Sequence, residues 1–179
     1  VSTTLAGLAD SATIQKVVSE AFGLRPIPRT LNAHVFVNAI KNGQAAYIDA
    51  GTVKVVATPK APKIDTEYYL TGNINNWKNS DNTYAVKNSG ADVYTDPVFN
   101  ITLTAAQVAG QSKVEFKLTP KSKIGTNDWS ECISAAKEDG KLATNNAGGN
   151  FSFDVVPGAN SYKLSFNLLD QTWTCTALR

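Results

Sequence analysis

Apolar and polar residues alternate along most of the second half of the chain. Phe99, Ile101 and Leu103 alternate with Val98, Asn100 and Thr102, and Val114, Phe116 and Leu118 with Glu115, Lys117 and Thr119. Phe151, Phe153 and Val155 alternate with Ser152 and Asp154, and Tyr162, Leu164, Phe166 and Leu168 with Lys163, Ser165 and Asn167. A period of two is that of a strand with one buried face. "TEYYLTG" opens the series at Thr66 and "QTWTCTAL" closes it. Strands at this spacing, separated by turn residues, predict an all-β chain folded as a β-sandwich. Residues 120–149 interrupt the series. Within them "DWSECISAAKEDG" is expected to form a short helix, with Trp129, Cys132, Ile133 and Ala136 on one side.

The first sixty residues read differently. Ile14, Val17, Val18, Ala21 and Phe22 recur at helical spacing. Asp10 or Ser11 is placed to cap that helix, Gly23 stops it, and Pro26 and Pro28 prevent its continuation. Three strands are expected next, "TLNAHVFVNAI", "AAYIDAG" and "TVKVVATP", the first two joined by an Asn42-Gly43 hairpin turn. "PKAPKI", residues 59–64, reads as a stiff linker. A helix and three strands make a small unit with open sheet edges, so this part is expected to be incomplete or to lean on its neighbour.

Composition narrows the function. Of 179 residues only 18% are charged and the net charge is +2. Lys121 and Lys123 are the nearest approach to a basic cluster, which argues against a nucleic-acid partner. No apolar run approaches the ~20 residues of a membrane-spanning helix. The chain opens on Val1, as expected of a processed or cloned fragment. Cys132 and Cys175 are too far apart in sequence for a CxxC motif. They are expected to lie close enough to bridge, with two free buried thiols as the alternative. His34, the only histidine, has no Cys or His companion at ligand spacing, so neither a metal site nor a catalytic triad is expected. Asp128, Glu131, Glu138 and Asp139 are candidates for a glycosidase pair by position only, and "EDG" is more simply a turn.

Two tryptophans stand in polar loops. Trp77 follows Gly72 in an Asn-rich stretch, and Trp129 follows Asn127 and Asp128. Each ring either stacks on the apolar face of a sugar or plugs the sandwich. Asn127 and Asp128 can hydrogen-bond hydroxyl groups. Trp173, in the last strand, reads as packing. Lys117 lies on the polar side of its strand.

Read in order, "YYLTGNINNWKNSD", "VEFKLTPKS", "NDWSECI" and "NNAGGNF" resemble the carbohydrate-binding modules of SusE/SusF-type outer-membrane glycan-binding lipoproteins of Bacteroidetes. The resemblance covers residues 64–179. Residues 1–60 look like the latter part of the immunoglobulin- or fibronectin III-like domain that precedes such modules, with "VKVVATP" similar to its closing strand. The resemblance implies immunoglobulin-like β-sandwich modules without catalytic activity or cofactor, lipid-anchored at the cell surface through a cysteine upstream of Val1. It implies an oligo- or polysaccharide ligand, starch-like α-glucan by default, with an outer-membrane transporter complex as a further partner. The order Trp77, Lys117, Trp129 resembles a family arrangement in which a basic residue hydrogen-bonds sugar hydroxyls between two aromatics. A structural spacer or protein-docking domain is the competing reading.

Overall fold

The computed structural model describes residues 9–179. They divide into two compact units, one ending at Pro62 and one covering Lys63–Arg179.

In the first unit, helix α1 (Ser11–Phe22) begins at Asp10, whose carboxylate accepts the Thr13 N–H at 2.8 Å. It ends at Gly23, where a positive φ of 75° suits glycine. Only two strands follow where three are expected, β1 (Arg29–Lys41) and β2 (Gln44–Ala57), paired antiparallel. "AAYIDAG" and "TVKVVATP" are one continuous strand. Its register shifts opposite Val35, where Ala50 and Gly51 both face that residue. A bulge lengthens one strand by a residue without ending the ladder. Val18 is fully buried, while Phe36, Ile40, Tyr47, Ile48 and Val56 are exposed.

The second unit is the sandwich. One sheet has the order β4 (Ala85–Val86), β3 (Tyr68–Gly72), β6 (Lys113–Pro120), β9 (Phe151–Asp154). The other has the order β11 (Thr172–Leu178), β10 (Ser161–Asn167), β5 (Val98–Thr104). All pairings within these sheets are antiparallel. The core contains the apolar positions of the period-two pattern: Phe99, Leu103, Val114, Phe116, Leu118, Phe151, Tyr162, Leu164 and Phe166 are all at most 1% exposed. Rings join the sheets. Phe166 meets Phe151 at 5.3 Å, and Tyr68 meets Phe99 edge-on at 5.2 Å. Trp173 stacks on its cross-strand partner Phe166 and packs against the core.

The expected helix near Trp129 does not form. Ile133 instead exchanges two backbone hydrogen bonds with Leu118. β9 pairs with β6 only as far as Phe116, so Ile133 continues the ladder along that edge. Ser134–Ala135 (β7) then pairs with Leu142–Ala143 (β8). Backbone groups left open at a sheet edge outweigh the weak helical periodicity of a short segment.

The two cysteines are not bridged; both are free. The Cys132 sulfur lies 3.7 Å from Thr119 Oγ1, on the face of β6 opposite the core residue Leu118. Cys175 packs against the core, so the sheet stands between them. Burial raises the Cys132 thiol pKa and pushes that of Cys175 up to about 11, which keeps both protonated and unreactive at neutral pH.

Candidate functional site

The loop that leaves β3 is built by its asparagines. The Asn75 side chain accepts the Gly72 N–H at 2.8 Å and donates to the Leu70 carbonyl at 3.1 Å. Asn73 donates to the Lys113 carbonyl and accepts the Glu115 N–H, which staples the loop to β6. Asn76 and Trp77 then take left-handed backbone angles, φ 55° and 57°. Asparagine adopts this region readily, but a tryptophan there costs of order 1–3 kcal/mol and is held by its surroundings. Here the Trp77 N–H donates to the Gly72 carbonyl at 2.8 Å.

β3 and β6 are antiparallel, so the loops after them start at opposite ends of the sheet. They meet because residues 73–84 must run back to place Ala85 beside Tyr69. Asn79 joins the two loops. Its side-chain oxygen accepts the Asn127 N–H at 3.1 Å, and its carbonyl accepts the Gly125 N–H at 3.3 Å. The result brings the Trp77 and Trp129 rings to a centroid distance of 6.4 Å, inclined at 52°. Both rings are partly exposed. Beside them lies an open cleft of about 300 Å³, lined by Trp77, Lys78, Asn79, Ser80, Gly125 and Asn127.

Of the other sequence-selected residues, Asn127 and Asp128 adjoin this pair and Lys117 does not. Asn127 is exposed, and its side-chain oxygen lies 3.4 Å from the Trp129 indole nitrogen, which donates to it. Asp128 accepts the Ser130 N–H at 2.9 Å and the Lys123 ammonium at 2.6 Å. The Lys123 hydrogen bond is the main cause holding its carboxyl far below the usual carboxylate range. Lys117 is engaged elsewhere. Its ammonium donates to the Asn146 side-chain oxygen, and among the described residues it makes no cation–π contact with either ring. It reaches the site through the backbone, since the Asn146 N–H donates to the Cys132 carbonyl and the Cys132 N–H to the Trp129 carbonyl.

Lys78, Asn79, Ser80 and Gly125 line the cleft but were not singled out from sequence. Asn79 carries the clearest structural signal. It is 6% exposed, and its Nδ2 is one of two buried side-chain polar atoms without a partner among the described residues, the other being Arg29 Nε. Its only mark in the sequence is its place two residues after Trp77. Among the described residues no group of three His, Cys, Asp or Glu is arranged to hold a metal, and no helix is long and apolar enough to cross a membrane.

Searches among curated proteins and among solved structures each found no match. A family model does match, over residues 63–177, a span that includes both sheets of the sandwich and both site loops. It describes the first starch-specific carbohydrate-binding module of SusF, and with most of its length matched this chain belongs to that family.

Proposed function

We propose that residues 63–179 are a non-catalytic module that binds starch-like α-glucan, with Trp77 and Trp129 as stacking surfaces and Asn127 as the nearest hydrogen-bonding side chain. The carrying observation is the ring pair, two partly exposed indoles 6.4 Å apart on polar loops of a rigid sandwich. A sugar ring gathers axial C–H groups on one face, and a flat accessible aromatic suits that face. An inclined pair offers planes to successive sugars of a curved chain. Lys78 and Ser80 at the cleft supply further polar groups. Asp128 and Lys117 act in this reading through the loops they hold. Family membership supports starch as the ligand.

Affinity per site is modest, because sugar hydroxyls exchange water bonds for protein bonds at little net gain. A polymer presenting many sites offsets this by avidity. Capture at the outer-membrane surface, with a lipid anchor upstream and a transporter complex as partner, completes the proposal.

The test is calorimetric titration with maltoheptaose. Wild type binds, and Trp77→Ala and Trp129→Ala each weaken binding by roughly 1–3 kcal/mol, by analogy with base–aromatic stacking. Absence of wild-type binding at millimolar sugar rejects the reading. So does a Trp129→Ala protein that melts far lower while its folded fraction binds as before.

A further inference from the structure

Trp129 sits on a turn between two carboxylates. Asp128 precedes it and Glu131 follows two residues later. Both approach one ammonium, that of Lys123, at 2.6 and 3.4 Å. Lys123 is well mounted for this. It ends the short 3₁₀ turn Lys121–Lys123 directly after β6, and its side chain is only 23% exposed. Its carbonyl accepts the Thr126 N–H and hydroxyl, which closes the near side of the same loop. Glu131 is held a second time by Lys63 at 2.5 Å. Without Lys123, Asp128 would keep no ion-pair partner among the described residues and Glu131 would keep only Lys63.

We propose that Lys123 is a positioning residue for the glycan site: its ammonium clips the two ends of the Trp129 turn and fixes that ring against Trp77. The proposal rests on the glycan-binding reading for its functional meaning, but its geometry can be read without any ligand. The cation serves the loop, since its ammonium is turned to Asp128 and Glu131 and Lys123 does not line the cleft. The direction of the local ionisation agrees. Asp128 is the chief cause raising the proton affinity of Lys123, while the Glu131 carboxyl is held low first by Lys63 and then by Lys123. Backbone hydrogen bonds also shape this turn, notably the Asn127 N–H to Asn79 and the Cys132 N–H to Trp129. They fix its middle and its exit, but neither neutralises Asp128 and Glu131.

The experiment uses the full chain with Lys123→Met, which keeps the aliphatic stem and removes the charge, and with Lys123→Arg. Two readouts are taken: the ring-to-ring nuclear Overhauser contacts between Trp77 and Trp129 without ligand, and maltoheptaose affinity by calorimetry. Lys123→Met should lose the ring contacts and bind about fivefold more weakly, the upper end for a partly exposed ion pair. Lys123→Arg should restore most of both. Lys63→Ala should act in the same direction but less, because its side chain is 70% exposed. Ring contacts and affinity unchanged in Lys123→Met overturn the proposal. Should that variant not fold, Glu131→Gln decides instead, and wild-type ring contacts and affinity in it overturn the proposal. Ring contacts that depend on Lys123 in a chain that binds no maltoheptaose would uphold the clip while rejecting the glycan reading.

Discussion

Gly72→Ala perturbs the core and the candidate site together. Gly72 is the last residue of β3, paired with Phe116 of β6, and it starts the loop that carries Trp77. Its φ of −164° is ordinary extended backbone, so the glycine is there for space. A Cβ at this position would lie 2.2 Å from the Glu115 carbonyl oxygen and 2.6 Å from Phe116 Cβ. Neither contact is the far end of a flexible side chain. Relief therefore requires β3 to move away from β6, and Phe116 is a fully buried member of the core. Overpacking by a methyl in a core typically costs about 1–3 kcal/mol. With backbone as the obstacle the cost should reach ~3 kcal/mol or more, roughly 10 °C in the melting midpoint of a unit this size. Urea denaturation of wild type and variant measures it. The same displacement breaks the 2.8 Å hydrogen bonds that the Asn75 side chain and the Trp77 N–H make to Gly72. Glucan affinity should then fall even where the variant is fully folded. A stability loss under ~1 kcal/mol, the scale of a freely accommodated change, together with unchanged affinity would refute the close-approach argument.

Asn79→Ala removes the side-chain half of the junction between the two site loops and leaves the Gly125 backbone bond, so it should lower stability by about 1 kcal/mol for the lost hydrogen bond and weaken maltoheptaose binding; denaturation and calorimetry read the two effects. Glu67 is 8% exposed and lies between Lys87 at 2.8 Å and Lys121 at 3.1 Å. The hydrogen bond from Lys87 is the largest cause lowering its carboxyl pKa, so its folded value lies below its unfolded one. That stabilisation is fully present above the unfolded pKa, about 4.3 for glutamate, and is lost as pH falls through the folded value. Glu67→Gln should therefore flatten the acid limb of a stability-versus-pH curve measured by denaturant midpoints, while an unchanged limb would exclude Glu67 as a contributor.

The sandwich was legible in the sequence because a strand with one buried face writes its period directly into residue order. Phe99 and Leu103, then Val114, Phe116 and Leu118, then Tyr162, Leu164 and Phe166 all face the core that this period implies. Trp77 and Trp129 were also legible, as large rings that the strand pattern did not absorb. What local pattern could not settle was pairing between distant segments. The 128–140 stretch has enough helical periodicity to suggest a helix, yet Ile133 completes the ladder of β6 because β9 stops at Phe116. Likewise "AAYIDAG" and "TVKVVATP" look separate, but their common partner β1 makes them one strand with a bulge at Ala50 and Gly51. The meeting of the two tryptophans is tertiary in the same sense. The antiparallel pairing of β3 with β6 starts their loops at opposite ends, and the return of the chain to β4 brings Asn79 across to Asn127. Sequence order fixes which residues are apolar and which can turn. Which backbone groups find each other depends on the whole sheet, because an unpaired edge accepts whichever segment the rest of the fold delivers to it.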